Sequence, residues 1–456
     1  MSGQINNLVW IPYAYYNKAS AGELKAQLTF VPSSFDGRAV EPIQLFFRDD
    51  ERKLIGLPID FGLREMSRLG IYDEATITLS EGTTHWNAPR LPVARTPKQQ
   101  QFMVDLLQAL QDRYTVLATA ATGSGKTVCA LWAGAHLMVP MLVIVDSKEL
   151  ADQWADRIVE HLGIPLEMIG RVEGPVCRYR GCPITVAIVH NLTQKQFEPE
   201  FYSAFGMVVW DEAHILGAES FSKSMPLFSA RYRLALTATP KRRDGCFGMI
   251  VSYFGYPCVE STMPAVPCTV CVIPYTGKVY NGNMPKARLL NCLVKEQPRN
   301  ALLCRIIVRA YEDGYHFLVV SDRIEHLEDL RDACASVIPR DTMGLFTRQK
   351  TVDGKRVQQT SADLRPVREN SRVIFATYNM IEKGVDIPRL SGGLDATPRS
   401  SATQLIGRIR REFPGKMHPV WFTIKDERNP RLVSSFYARS RDYKADSNIN
   451  MTYGKT

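Results

Sequence analysis

The stretch ATAATGSGKT, residues 118–127, closes on residue types that together hold a phosphate. Gly123 and Gly125, with Thr122 and Ser124 beside them, let the backbone turn tightly enough to aim its N–H groups at an anion. A helix opening at the lysine adds the positive end of its dipole. Lys126 is placed to reach β- and γ-phosphates, and Thr127 carries a hydroxyl for Mg2+. The general pattern, G-x-x-x-x-G-K-[ST], begins with glycine, whereas here that position is Ala120, the smallest substitute. An ordinary Gly/Ser loop is the competing reading.

Two further groups decide between them. VVWDEAH, residues 208–214, is an apolar run ending in adjacent carboxylates. Hydrolysis of a nucleoside triphosphate needs one acidic group on Mg2+ and another to orient or deprotonate water. Asp211 suits the first role and Glu212 the second. An isolated pair would read as a solvated strand end, but behind a phosphate loop the catalytic reading is preferred. QLIGRIRR, residues 404–411, crowds arginines onto one helix. A guanidinium supplied by a facing domain stabilises charge building on the γ-phosphoryl oxygens. Arg408 and Arg411, three apart, would share a helix face. Arg410 points elsewhere and reads as a surface or nucleic-acid contact, and a merely basic surface helix is the alternative for the whole segment.

These groups need elements to position them. TVLATA, MLVIVD, ITVAIV, MVVWDEA and YRLALTAT read as strands of a buried parallel sheet. KTVCALWAGAHL and SKELADQWADRIVEHLG read as helices, the second capped by Ser147 and closed by Gly163. The pattern restarts after VIPYTGKVY: RNALLCRIIVRAYEDG, RIEHLEDLRDACA and ATQLIGRIRREF as helices, FLVVSD and RVIFAT as strands. The chain therefore reads as α/β, with two tandem parallel-sheet units and no short-period repeat. Ahead of them residues 1–90 read as a small strand-rich domain, with LKAQLTFV and IQLFF as strands around an SSFDG turn and LREMSRLG as a helix closed by Gly70. WNAPRLPVARTPKQ is a linker. The expected domains are 1–90, 91–265, 266–440, and a polar, fraying tail over 441–456.

Composition bounds the class. At 45% hydrophobic and 23% charged residues the chain can build a sizeable core. It has no apolar run long enough to span a membrane and no recognisable signal peptide, and its ten scattered cysteines fit a reducing, cytoplasmic setting. CRYRGC (Cys177, Cys182) and CTVC (Cys268, Cys271) lack mates for a zinc site and read as small buried hydrophobes. The net charge of +9 is uneven. Residues 1–95 carry 10 Lys+Arg against 11 Asp+Glu, residues 96–269 carry 15 against 16, and residues 270–456 carry 31 against 20. A basic last third points to a polyanionic partner.

ATGSGKT, DEAH, TATP and QLIGRIRR occur in the order and spacing of motifs I, II, III and VI of the superfamily 2 helicases, which the chain resembles over residues 95–428. Motif I of that family commonly starts with alanine, which accounts for Ala120. RTPKQ resembles the Q-motif region, VDSKELADQW motif Ia, FLVVSDRIEHL motif IV and EKGVDIP motif V. TATPKRRDG and QxxGRxxR resemble the XPB-like and RecG-like DNA helicases. The compact size and small N-terminal domain look most like UvsW-type branch-migration helicases of tailed phages. Two positions depart from the family: His190-Asn191 where motif Ib commonly pairs threonine with a nearby glutamine, and Tyr378 where some relatives carry an acid. Both bear on strand contacts rather than on ATP.

The resemblance implies two RecA-like lobes with ATP and Mg2+ between them. Gln99 would read adenine. Lys126, Thr127 and Asp211 would hold phosphates and metal, Glu212 would activate water, and Gln404, Arg408 and Arg411 would reach over from the second lobe. Gly384 and Asp386 would couple nucleotide to DNA, and His214, Thr237 and Thr239 would link the ATP site to the strand-binding face. Ser147 and Thr377 are phosphate-contact candidates. The implied activity is ATP-dependent unwinding or remodelling of forked, branched or single-stranded DNA in replication, recombination or repair. The implied protein is a cytoplasmic monomer (in the host cytoplasm if phage-encoded), with recombination or replication proteins as possible partners. A duplex translocase that does not unwind, a DEAH-type RNA helicase and a non-motor binding protein are the alternatives. TRQKTVDGKRVQQT, residues 347–360, carries an Asp353-Gly354 hairpin signal with Lys355 and Arg356, and reads either as a basic hairpin touching duplex DNA or as a solvated loop. VWIPYAYY (Trp10, Tyr13, Tyr15, Tyr16) reads as core or as a base-stacking cluster.

Overall fold

Apolar runs with no polar face must be covered on both sides, and the helices between them provide that cover. The computed structural model describes residues 7–32, 41–83, 85–120, 124–213, 223–238, 246–261, 266–281, 284–352, 354–382 and 387–454. The chain divides into two compact units, Met1–Met263 and Pro264–Thr456.

The first unit opens with β1 (Leu8–Pro12), β2 (Phe47–Asp49), β3 (Leu54–Pro58) and β4 (Thr76–Ile77), paired antiparallel in the order β2-β3-β1-β4. LKAQ, read as strand, instead completes helix α1 (Lys18–Gln27), and only Thr29–Phe30 is extended. A reciprocal cap between Asn17 and Ser20 nucleates that helix and overrides the apolar spacing. Helix α2 (Ile59–Leu69) ends as expected, with Gly70 at φ 71° donating to the Met66 carbonyl. This small sheet is not free-standing. Val9, Ile11 and Leu57 share one apolar core with Trp210, Phe228 and Phe254 further along the unit.

The main sheet follows: β5 (Thr115–Thr119), β6 (Met141–Val145), β7 (Ile169–Glu173), β8 (Val176–Arg178), β9 (Ile184–Ile188), β10 (Met207–Trp210), β11 (Tyr232–Thr237) and β12 (Val259–Glu260). Its order is β8-β7-β9-β6-β10-β11-β5-β12, parallel except for β8. Helices α3 (Pro97–Arg113), α4 (Lys126–Leu137) and α5 (Lys148–Leu162) supply cover. The linker reading missed α3, although Thr96 caps it and Pro97 opens it. Cys177 of the CRYRGC pair is exposed on β8, against the reading as a buried hydrophobe.

The second unit is an all-parallel sheet of β13 (Cys268–Tyr275), β14 (Phe317–Ser321), β15 (Met343–Phe346), β18 (Val373–Thr377), β19 (Gly392–Asp395), β20 (Val420–Asp426) and β21 (Ile449–Tyr453), in the order β15-β18-β14-β19-β20-β13-β21. Between β15 and β18, the strands β16 (Gln349–Val352) and β17 (Lys355–Gln358) pair antiparallel where a hairpin is expected, Asp353 of the turn signal lying outside the described residues. The segment read as a fraying tail is instead β21, hydrogen-bonded along β13. Helices α6 (Gln297–Glu312), α7 (Ile324–Cys334), α8 (Thr403–Ile409) and α9 (Pro430–Ala445) pack on this sheet.

Charge is buried deep in this unit. Arg299, fully buried on α6, makes a two-point contact with Asp426 at 2.8 and 3.2 Å and donates its remaining nitrogen to the Ala396 carbonyl at 2.6 Å. The ion pair ties α6 to the end of β20, and its donors are well satisfied. Asp426→Ala strands that guanidinium and is expected to lower stability by about 3–5 kcal/mol in urea unfolding, whereas the double replacement Arg299→Met with Asp426→Leu recovers most of the loss.

Candidate active site

In an open parallel sheet the carboxyl ends of the strands form the crevice in which ligands bind. In the first unit β11 lies between β5 and β10, so the phosphate loop after β5 and the acidic pair after β10 open at the same edge. Backbone bonds fasten both to β11: Ala120 donates to Thr237 O at 3.1 Å, and Ala213 to Leu236 O at 2.9 Å. Gly125, at φ 87°, begins α4 in a conformation that disfavours any side chain.

Lys126 is buried, with Nζ 3.0 Å from the Ala120 carbonyl and 3.7 Å from Glu212 Oε1. Both carboxylate oxygens of Asp211 are held: Oδ1 accepts the Glu212 N–H at 2.9 Å and Oδ2 accepts the Trp154 indole N–H at 2.8 Å. Burial pushes the Asp211 carboxyl up to about 6, and the neighbouring Glu212 charge adds to this. The Trp154 bond and the Lys126 ammonium oppose it. Glu212 sits at φ 45°, a left-handed conformation uncommon for a residue with a side chain and typical of functional turns.

Gln99, on α3, is almost fully buried. Its side-chain oxygen accepts the Arg95 N–H at 2.8 Å, and its nitrogen donates to the Ser124 carbonyl at 3.3 Å. A Cβ at Gly125 would lie 2.3 Å from that nitrogen. Gln99 therefore buckles the phosphate loop to the segment ahead of α3. The buried Ser124 hydroxyl has no partner among the described residues. An unspent hydroxyl, a buried ammonium and a desolvated carboxylate at one strand edge are the donor set that a metal-bound triphosphate requires.

The other candidates are placed as follows. Thr127 is half-buried in the first turn of α4, and Thr237 is buried at the end of β11. Ser147 is buried, its hydroxyl capping α5 through Leu150 N at 3.4 Å. Thr122, Gly123, His214, Thr239, Gly384 and Asp386 lie outside the described residues. In the second unit Thr377 ends β18, and Gln404 and Arg408 lie on α8, with Arg408 buried. That helix stops at Ile409, so Arg411 lies beyond it and the shared-face expectation does not hold. Arg410, read as a surface contact, is buried. Its Nε donates to the Val266 carbonyl at 2.6 Å and its guanidinium pairs with Asp446, fastening the start of β13 to the segment before β21. On the hairpin, Lys355 is exposed, while Arg356 is held by Glu328 at 3.0 Å and Glu325 at 3.3 Å on α7.

Three residues escaped the sequence reading. Trp154 reads from the sequence as the end of the motif Ia stretch and a helix residue, with no role at the site. Asp322, just after β14, and Arg399, four residues beyond β19, pair at 2.7 Å, and the Arg399 guanidinium stacks 4.0 Å from the ring of Tyr378, whose hydroxyl donates to the Thr397 carbonyl. The only sequence signal for them was polar residues following apolar strands.

Known proteins resemble this chain in part or along most of its length. Residues 93–242 match the family described as type III restriction enzyme, res subunit. An ATP-dependent RNA helicase, so named, of Acanthamoeba polyphaga mimivirus is 24% identical over 94% of this chain and 83% of its own length. The DNA 3'-5' helicase XPB of Kineococcus radiotolerans is 26% identical over 63% of this chain and 53% of its own. Among solved structures, S. cerevisiae Dbp5 bound to RNA and ADP BeF3 aligns with a TM-score of 0.54 at 13% identity, covering 79% of this chain and 93% of that one. UvsW of phage T4 covers 96% of both chains at 15% identity with a TM-score of 0.40. By these similarities the chain resembles helicases of the superfamily 2 type, over residues 93–242 by the family match and along most of its length by the mimivirus relative.

Proposed function

We propose that this protein is an ATP-driven DNA helicase or translocase that remodels forked or branched DNA. The observation that carries the reading is the convergence of Lys126, Asp211 and Glu212 at one strand edge, with Lys126 Nζ between the Ala120 carbonyl and Glu212. A triphosphate offers Lys126 a stronger partner than either, so binding frees Glu212 to orient water. Ser124, Gly125 and Thr127 line the phosphate cradle. Thr127 and Asp211 would hold Mg2+, which would neutralise charge on the phosphates. Thr122 and Gly123 complete the loop, and Gln99 ties adenine recognition to loop shape. Gln404, Arg408 and Arg411 of the second unit serve the γ-phosphoryl. Gly384, Asp386, His214, Thr237 and Thr239 relay nucleotide state to the strand, and Ser147 and Thr377 contact its phosphates.

DNA is favoured by the name of the XPB relative, while the surplus of 31 Lys+Arg over 20 Asp+Glu in the last third suits the phosphate backbone of either nucleic acid. A second reading, RNA unwinding, is favoured by the name of the mimivirus relative, which aligns along most of this chain. The exposed β16–β17 hairpin is the candidate strand-engaging element. With Arg356 committed to α7, Lys350 and Lys355 carry its outward charge.

ATP hydrolysis measured with single-stranded DNA, duplex DNA, a fork, a four-way junction and RNA, with strand displacement scored in parallel, tests the reading. Stimulation by fork or junction with displacement is expected. Stimulation by RNA alone overturns the DNA assignment, and duplex stimulation without displacement makes the protein a translocase. Lys126→Ala is expected to abolish turnover. Arg408→Ala is expected to lower kcat by roughly 10³-fold while nucleotide still binds. Replacing Lys350 and Lys355 by alanine should weaken fork binding and reduce the slope of log affinity against log salt by about 1–2. An unchanged slope removes the hairpin from the DNA path.

A further inference from the structure

The indole of Trp154 is inaccessible to solvent, yet its one polar atom is aimed at the active site. Trp154 lies on the inward face of α5 among Leu150, Ala151, Ala155 and Ile158. The Ser147 hydroxyl caps that helix and Gly163 closes it, so the ring sits on a rigid element. Its Nε1–H donates to Asp211 Oδ2 at 2.8 Å. Two other buried tryptophans show that this chain does not need such a bond in order to bury an indole. The Nε1 atoms of Trp210 and Trp421 have no hydrogen-bond partner among the described residues.

A carboxylate offers about four lone-pair sites on two oxygens. In Asp211 one site is filled by the Glu212 N–H and one by Trp154, each on a different oxygen. The plane of the carboxylate is thereby fixed from two sides, and one lone pair on each oxygen remains for a metal or its water. Groups that orient a metal ligand in this way commonly change metal affinity or activity by about 10–100-fold when removed.

We propose that Trp154 is a positioning residue for the metal-binding carboxylate, acting through the indole N–H rather than through ring volume. The proposal rests on the reading of Asp211 as a ligand of Mg2+ beside ATP, and it goes beyond that reading by making motif Ia part of the metal site. Trp154→Phe removes the donor and keeps an aromatic ring. Trp154→benzothienylalanine keeps the bicyclic shape and replaces N–H by sulfur, so it separates the bond from the packing even if the phenylalanine variant does not fold.

The test uses the full chain. Mn2+ binding in the presence of ADP is followed by electron paramagnetic resonance, and the Mg2+ concentration for half-maximal ATP hydrolysis is measured alongside. Fluorescent nucleotide binding in EDTA serves as the control. Both variants are expected to weaken Mn2+ binding about tenfold and raise the Mg2+ requirement by a similar factor, with excess Mg2+ restoring kcat and metal-free nucleotide binding unchanged. Wild-type Mn2+ affinity and Mg2+ requirement in the benzothienylalanine protein would overturn the proposal even if Trp154→Phe were destabilised, because only packing would then matter. A wild-type protein that binds no nucleotide, or whose Mn2+ binding is indifferent to Asp211→Asn, would instead refute the reading of the site itself and the proposal with it.

Discussion

A carboxylate taken out of water must be compensated, and that requirement shapes the first unit around Asp211. The residue ends a strand whose other members are wholly apolar, so nothing on β10 itself can solvate it. Compensation arrives from three directions: an indole on α5, a backbone N–H supplied by the turn into Glu212, and the ammonium of Lys126 at the start of α4. Each partner belongs to an element whose position is set by the parallel sheet. The left-handed backbone at Glu212 is part of the same solution, because it turns the next N–H back onto Oδ1. Even so, the carboxyl remains harder to ionise than an exposed one. A group held in that state gains more from a divalent cation than a solvated carboxylate does, since the cation supplies the charge the surroundings lack.

The second unit uses buried charge differently. Arg299 with Asp426, and Arg439 with Asp395 at 3.3 Å, are sealed pairs whose remaining donors go mainly to backbone carbonyls and Thr423. Burial still pushes the Asp395 carboxyl up to about 6, against the pull of Arg439 and Thr423. These pairs fasten helices to the carboxyl ends of β19 and β20 and read as architecture. Asp322 and Arg399 differ, because both are partly exposed on the segments that follow β14 and β19 and Arg399 also stacks on Tyr378. The tyrosine that departs from the family pattern is thus a platform for a guanidinium. An acid at 378 could pair with Arg399 but could not offer a ring face.

Strongly periodic elements were legible from residue types alone. The strands flanking the phosphate loop, and α4 and α5 with their caps, fall where apolar runs and Ser147, Gly125 and Gly163 place them. What escaped depended on long-range partners. LKAQ is helical because Asn17 and Ser20 cap each other ahead of it. INMTY is a strand because β13 has a free edge, which five mixed residues cannot reveal. Arg410 is buried because Asp446, thirty-six residues later, comes back to meet it. Trp154 could be recognised as core but not as a donor, since nothing in ELADQW says which carboxylate its N–H will face.

The alanine at the head of the phosphate loop follows from the same geometry. Ala120 is buried, its methyl packed in the apolar core beside Ala118 and Cys129. Its contribution to the site is made by backbone alone, the N–H to Thr237 and the carbonyl to Lys126. It is absent from the residues with positive φ, so no conformation reserved for glycine is demanded there. At Gly125 the opposite holds: φ is 87° and the Gln99 amide occupies the space a side chain would need. A glycine at 120 would forfeit a buried methyl and add backbone freedom in the unfolded chain, a change that costs roughly 0.5–1 kcal/mol in regular structure. The two ends of the loop are therefore under different constraints: the second glycine is fixed by sterics, and the first position is free to be filled by the core.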